Sequence, residues 1–235
     1  MAHSAGRPRP GCTGSRQFNR PSVSFQADQN LCEHLILFRD RPLIASMNWH
    51  WNRAAVVLCQ EQQLAAYPQR GPRPNIGMFT PDFTAVLGEL VFEHADEEAV
   101  VELLGTWIAA QGHAGKVELH RDMPPGAGDG LRATIERSPL AKRCAVLAGP
   151  RRARRSAVWS AISERLELAM HQFRLVVHPS NAAGLAAELR ATFEPRKLDG
   201  ELAPVARRST PFLDALSPYI AHRFVCSPSI TTVDR

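Results

Sequence analysis

The sequence lacks the features that define several protein classes. No uninterrupted apolar run approaches the roughly 18–20 residues that a membrane-spanning helix needs, so an integral membrane protein is excluded. The periodicities of collagen, coiled coils and repeat proteins are also absent. Apolar residues make up 44% of the chain and charged residues 22%, which are ordinary values for a globular protein.

Cysteine is scarce, and its spacing argues against two kinds of site. The five cysteines are far apart, without a Cys-x-x-Cys pair or a cysteine–histidine spacing typical of zinc. No His-x-x-x-His pair is present either. We therefore predict reduced thiols, no metal, no cofactor and a cytoplasmic location.

Lysine is almost missing, and the positive charge is unevenly distributed. Only three of the 28 basic residues are lysine, and the formal net charge is +5. Four arginines and no acid occur in residues 1–27, among many Gly, Pro and Ser residues. We predict a disordered basic tail over 1–28 and a single α+β domain over 29–235, with the Pro/Gly-rich segment 68–77 as an alternative internal boundary.

Hydrophobic periodicity predicts the order of the helices and strands. Asp96 is a predicted N-cap, and Gly112 and Gly115 are predicted to end the same helix in a left-handed cap. Strands are predicted at 34–38, 43–49, 54–59, 84–94, 116–123, 131–137 and 173–178, and helices at 96–112, 156–170 and 181–195. The order over 84–178 is that of a ferredoxin-like split β-α-β sandwich. The predicted fold adds an N-terminal β-rich extension and C-terminal helices.

An arginine-rich segment is the most distinctive local feature. Between residues 137 and 155 the chain has seven basic residues and no acidic one, and the run ends where a helix is predicted to begin. A helix N-terminus already attracts anions, so the added cations favour an anionic partner, most simply nucleic-acid phosphate. The predicted phosphate contacts, without base readout, come from Lys142, Arg143, Arg151, Arg152, Arg154 and Arg155.

The acidic stretch 89–102 offers an alternative partner for these arginines. It could pair with them within the chain or across a homodimer, or form the surface of a protein-interaction module such as an adaptor, an assembly subunit or an inhibitor.

Enzyme motifs give no positive support. His120-Arg121-Asp122 is similar to a protein-kinase catalytic loop, but Ala127 stands where that loop needs Asn. The predicted function is therefore a non-catalytic protein that binds nucleic acid. The alternatives are a protein-interaction module and an enzyme whose site assembles only in three dimensions.

Overall fold

A computed structural model of the chain describes residues 25–50, 53–63, 82–93, 96–122, 129–148, 153–167, 174–193, 197–198, 201–202 and 210–226. Residues 1–24, which make up most of the predicted tail, lie outside this part of the chain, as does the segment 68–77. The predicted tail and internal boundary therefore stay predictions.

A six-stranded mixed sheet forms the centre of the described part. Its strands are β1 (Leu43–His50), β2 (Arg53–Gln63), β3 (Asp82–Glu93), β4 (Val117–Asp122), β5 (Cys144–Ala148) and β6 (Arg174–Val177). The spatial order is β5-β4-β1-β2-β3-β6. Strand β2 is antiparallel to both of its neighbours, whereas β1–β4, β4–β5 and β3–β6 are parallel pairs.

Helices cover both faces of the sheet. They are α1 (Ala27–Asn30), α2 (Glu97–Ala110), α3 (Asp129–Arg137), α4 (Arg155–Leu166), α5 (Ala183–Phe193) and α6 (Pro211–Ile220), followed by a π-helical turn (Ala221–Val225). Helices α2 and α3 pack on one face, and α4, α5 and α6 pack on the other. A separate two-residue hairpin pairs β7 (Lys197–Leu198) with β8 (Glu201–Leu202). No helix among the described residues is both long and apolar enough to cross a membrane.

Alternation along β1 connects the two faces to the sequence. Leu43, Ala45 and Met47 are buried in the core beneath α2 and α3. Ile44 belongs to the opposite core, and Ser46 accepts a hydrogen bond from the backbone N–H of Tyr219 in α6 at 3.2 Å. Because successive side chains point to opposite faces, this one strand contributes residues to both cores.

Several predicted elements are confirmed. The strands predicted at 43–49, 54–59, 84–94 and 116–123 correspond to β1, β2, β3 and β4. Asp96 caps α2 by accepting a hydrogen bond from the Ala99 N–H at 2.7 Å. Gly112 takes the left-handed conformation, with φ of 62°, whereas Gly115, the other predicted helix end, does not.

The strand predicted at 34–38 is wrong. Residues 35–38 have no regular secondary structure, and side chains of β2 satisfy their backbone groups instead. The Gln60 amide accepts from the Phe38 N–H at 3.0 Å and donates to the Phe38 carbonyl at 2.8 Å, while Gln62 donates to the Ile36 carbonyl at 2.7 Å. Buried glutamines thus replace the neighbouring strand that this segment would otherwise need.

The ferredoxin-like arrangement over 84–178 is not confirmed, although a mixed sheet with helices is consistent with the broader α+β class. The segment predicted as a strand at 131–137 is helix α3, in which Leu131 and Ile135 are buried one turn apart. Such a short segment fits both periodicities, and packing against the α2 side of the core selects the helix. Strand β5 was not predicted. The supposed N-terminal extension is the centre of the sheet, because β1 and β2 lie between β4 and β3.

Candidate functional site

Two polar side chains end neighbouring parallel strands at the same edge of the sheet. Asn48 of β1 is the register partner of Asp122, the last residue of β4. Register partners in a sheet share a face, so both side chains lie on the face that carries Ser46 and α6. The Asp122 side chain is exposed, and among the described residues it has no hydrogen bond or ion pair.

Helix α6 crosses this face and adds a second carboxylate. Its position is set by Tyr219, whose hydroxyl donates to Glu61 at 3.0 Å and lies 3.1 Å from the Thr84 hydroxyl. Burial and the nearby Glu61 raise the pKa of Tyr219, so this phenol stays protonated as a donor. The anchor fixes the helix over the sheet and places Asp214, in its first turn, above the ends of β1 and β4.

The N-terminus of α6 is capped from a different helix. The Glu188 carboxylate of α5 accepts hydrogen bonds from the N–H groups of Phe212 at 3.4 Å and Leu213 at 2.8 Å. Burial raises the pKa of Glu188 to about 7. Leu213, which precedes Asp214, therefore donates to a carboxylate whose charged form is costly to bury.

These residues enclose a cavity of about 210 Å³. Its walls combine strand ends, the start of α4, and one side of α6 as far as the π-helical turn. The lining residues are Asn48, Asp122, Ala153, Arg155, Val158, Asp214, Ser217, Pro218 and Ala221.

Arg155 is the only cationic side chain lining this cavity among the described residues. Its Nη2 donates to Asp214 Oδ1 at 2.9 Å and to the Thr210 hydroxyl at 3.2 Å. The guanidinium carbon also lies 4.9 Å from the ring centroid of Trp159, one turn further along α4. Because Thr210 contacts the second carboxylate oxygen at 3.4 Å, the Asp214 side chain is held from two sides.

The donor set is chemically suited to a hard divalent cation. Two carboxylates and one amide line the cavity, and oxygen ligands of this kind bind Mg²⁺, which keeps several waters and often uses only one or two protein carboxylates. The described residues contain no group of three or more His, Cys, Asp and Glu arranged for a metal. The site therefore fits one hydrated cation better than a fully protein-ligated one.

The structure divides the predicted phosphate-binding residues between two ends of β5. Lys142 and Arg143 precede the strand, whereas Arg154 and Arg155 follow it. Arg143 Nη1 donates to the His113 carbonyl at 2.7 Å. This contact lies where the parallel strands β1, β4 and β5 begin, which we call the amino edge of the sheet; the carboxyl edge is where these strands end. Arg154 is exposed beside Arg155 at the start of α4, and Arg151 and Arg152 lie outside the described residues.

The acidic stretch 89–102 makes other contacts. Glu89 caps α5 through the N–H groups of Gly184 and Leu185, at 2.7 and 2.8 Å, and Glu93 pairs with Arg53. Within the described residues no ion pair joins this stretch to the arginine-rich segment. Pairing across a homodimer stays a prediction.

The sequence did not identify the three polar residues of the cavity as a site, and it offered Asp122 only within the triplet that failed as a kinase motif. Asn48, Asp122 and Asp214 come from distant parts of the chain, so no local motif connects them. One signal was available, because Asp122 directly ends a strand with clear alternation, a common position for chemically active side chains. The prediction of no metal considered only cysteine and histidine spacing, and does not apply to oxygen ligands.

Comparison with known proteins identifies similar folds. No family model matches the chain, and no curated protein matches it significantly in sequence. The nuclease domain of the P22 large terminase is similar in structure, with a TM-score of 0.55 and 10% identity over 86% of this chain and 92% of that one. The large terminase of a thermophilic bacteriophage gives a TM-score of 0.52 and 13% identity over 87% of this chain and 45% of that one.

These similarities contradict the prediction of a non-catalytic binding protein. At such low identity they show a shared fold, and one of the two similar structures is a nuclease domain.

Proposed function

We propose that this chain is an enzyme that hydrolyses phosphodiester bonds of nucleic acid at the cavity between β1, β4 and α6. The observation that carries the proposal is the convergence of Asn48, Asp122 and Asp214 in one cavity. The likeness of the fold to a terminase nuclease domain supports it.

The position of the arginines supports nucleic acid as the substrate. Strands β1, β4 and β5 are parallel, so their carboxyl ends lie at one edge of the sheet. The chain that leaves β5 at this edge returns through Arg154 and Arg155 into α4. Exposed guanidinium groups there can contact phosphates on either side of a bond held in the cavity.

Asp122 and Asp214 would hold the cation, with the Asn48 side-chain oxygen as a neutral third ligand. When bound, a divalent cation lowers the pKa of a coordinated water and neutralises charge that develops on the phosphate. The carboxylate of Asp122 has no partner among the described residues, so it is available to orient a water. In the net reaction the water oxygen bonds to phosphorus, the P–O bond to the leaving ester oxygen breaks, and that oxygen receives the proton.

The test is a hydrolysis assay on labelled DNA and RNA, single- and double-stranded, with Mg²⁺ or Mn²⁺ and with EDTA. We expect cation-dependent cleavage of at least one substrate, and a loss of about 100-fold or more in Asp122→Asn and Asp214→Asn.

The matched control is Glu136→Gln, which removes an exposed carboxylate of α3 on the opposite face of the sheet. Its 3.6 Å ion pair with Arg132 is solvent-exposed and contributes little to stability. Full activity in both aspartate variants, with melting temperatures unchanged, would refute the proposed site. No cleavage of any substrate by the wild-type protein would refute the proposed function.

A further inference from the structure

Arg155 belongs to two features at once. It is the last residue of the arginine-rich segment, and it also contacts a carboxylate of the candidate site. Its Nη2 makes both the contact to Asp214 and the contact to Thr210. Its Nε and Nη1 make no hydrogen bond within the described residues, so this guanidinium has donors left for a second anion.

The same contact opposes the binding of a cation. A guanidinium 2.9 Å from Asp214 Oδ1 occupies one oxygen and places a positive charge beside the position a divalent ion would take. Repulsion between two cations at such a distance is substantial even near a protein surface. Cation binding through Asp214 is therefore favoured when Arg155 leaves that carboxylate.

The surroundings of Arg155 allow it to leave. Its side chain is 62% exposed, and its guanidinium carbon lies 4.9 Å from the Trp159 ring centroid, a contact that does not depend on Asp214. Thr210 lies 3.4 Å from the other oxygen of Asp214, so the carboxylate keeps a neighbour when the arginine moves. A phosphate at the edge of the cavity offers the planar donor group a more accessible anion.

We propose that Arg155 couples the binding of nucleic acid to the binding of the cation. It pairs with Asp214 in the free protein and transfers to a substrate phosphate when a strand enters, which leaves Asp214 to the cation. This rests on the proposed function, because it assigns the phosphate and the cation to that cavity. Since coupling between two ligands is reciprocal, each ligand strengthens the binding of the other.

The experiment measures the affinity of the full chain for a short labelled DNA duplex by fluorescence anisotropy, in EDTA and in Ca²⁺, which shares the preference of Mg²⁺ for oxygen ligands. We expect Ca²⁺ to tighten binding by the wild-type protein roughly tenfold. In Arg155→Gln the dependence on Ca²⁺ falls below about twofold. Calorimetry of the same variant without DNA shows Ca²⁺ binding tightened by about tenfold, because the competing cation is gone.

The matched control is Arg154→Gln, which removes the same charge one residue earlier. It weakens binding to DNA in EDTA and in Ca²⁺ by the same factor, so the dependence on Ca²⁺ is retained. Arg155→Lys keeps a cation beside Asp214 without the planar donor group, and we expect it to keep part of the coupling. Melting curves of all three variants test whether each is folded.

Three results would overturn the inference. Equal effects of the 154 and 155 variants on Ca²⁺ dependence would show a general charge effect, and unchanged Ca²⁺ affinity in Arg155→Gln would show that this side chain does not compete at Asp214. Absence of Ca²⁺ dependence in the wild-type protein would remove the coupling itself. If the wild-type protein still cleaves nucleic acid in any of these cases, only the role of Arg155 falls and the proposed function stands.

Discussion

The two ends of the parallel strands are built in opposite ways. At the amino edge, polar groups are joined to one another: Arg143 donates to the His113 carbonyl at 2.7 Å, and His113 Nε2 donates to the Arg41 carbonyl at 2.8 Å. At the carboxyl edge, Asp122 has no partner among the described residues, and Asp214 is paired with an exposed arginine.

This difference separates side chains that hold the fold from side chains that are available to a ligand. Buried polar groups in a stable protein are normally hydrogen-bonded, so the amino edge is what folding alone requires. A cavity that gathers an exposed carboxylate and a second carboxylate paired with an exposed arginine is explained by a ligand more readily than by stability. Two arginines from one segment of sequence, Arg143 and Arg155, therefore make contacts of different kinds.

The largest expected effect is at the amino edge, in the variant Gly115→Ala. A Cβ atom at residue 115 would lie 2.7 Å from the Arg41 carbonyl oxygen and 2.9 Å from that of Asp40, both of them backbone atoms that cannot move cheaply. We expect the free energy of unfolding to fall by about 3 kcal/mol, measured by chemical denaturation. The matched control is Gly105→Ala in α2, where the added atom meets open space and should stabilise the helix by about 0.5–1 kcal/mol.

The second effect concerns Arg143, which was predicted from the sequence to contact phosphate in the same way as Arg155. Removing its guanidinium in Arg143→Gln leaves the His113 carbonyl without its charged donor. We expect a loss of about 2 kcal/mol in unfolding free energy and no change in hydrolysis. The control variant Lys142→Gln, at the exposed neighbouring residue, should change neither the unfolding free energy nor hydrolysis. A loss of cleavage in Arg143→Gln at unchanged stability would contradict the difference between the two edges.

The third effect is on the affinity of the carboxyl edge for a cation. Asn48→Asp adds a third carboxylate opposite Asp122, and the charge of the ligands tunes affinity for hard cations. We expect Mg²⁺ to bind about tenfold more tightly by calorimetry, which corresponds to about 1.4 kcal/mol. The companion variant Asn48→Ala removes the amide oxygen and should weaken binding, so equal affinity in both variants would show that residue 48 does not reach the cation.

Much of the fold could be predicted from the sequence because most elements carry local patterns. Alternation marks β3, and the capping residue Asp96 marks the start of α2, since both depend only on neighbouring residues. The errors fall where a short segment satisfies two patterns, as at 131–137. They also fall where distant side chains replace a strand, as Gln60 and Gln62 do for residues 35–38.

The candidate site could not be predicted in the same way, because it depends on the register of β1 with β4 and on the crossing of α6. Asn48 and Asp122 become neighbours only when the two strands pair in parallel at that register. Asp214 joins them only because Tyr219 fixes its helix over Ser46. Neither relation produces a motif of fixed spacing in the sequence. Clustered arginines, in contrast, are visible in the sequence, so the prediction included residues from both ends of β5.

The smallest expected effect is a dependence of stability on pH that comes from the carboxyl edge. Glu188 caps the helix that carries Asp214, and its pKa of about 7 in the folded protein lies above the ordinary 4.5. The folded protein therefore holds this proton more tightly than the unfolded chain, so the contribution to stability is complete below about pH 4.5 and is lost as the pH rises through 7. For a half-buried group screened by solvent, this amounts to about 1 kcal/mol, or roughly 2–4 °C in melting temperature.

The measurement compares the melting temperatures of the wild-type protein and Glu188→Gln at pH 8 and at pH 5. Because Gln does not titrate, the difference between the two proteins should shift by this amount in favour of the wild-type protein on going from pH 8 to pH 5, even if the substitution also weakens the cap. A constant difference across that range would mean that the carboxylate is ionised at both pH values, and that the cap of α6 resembles the hydrogen-bonded contacts of the amino edge.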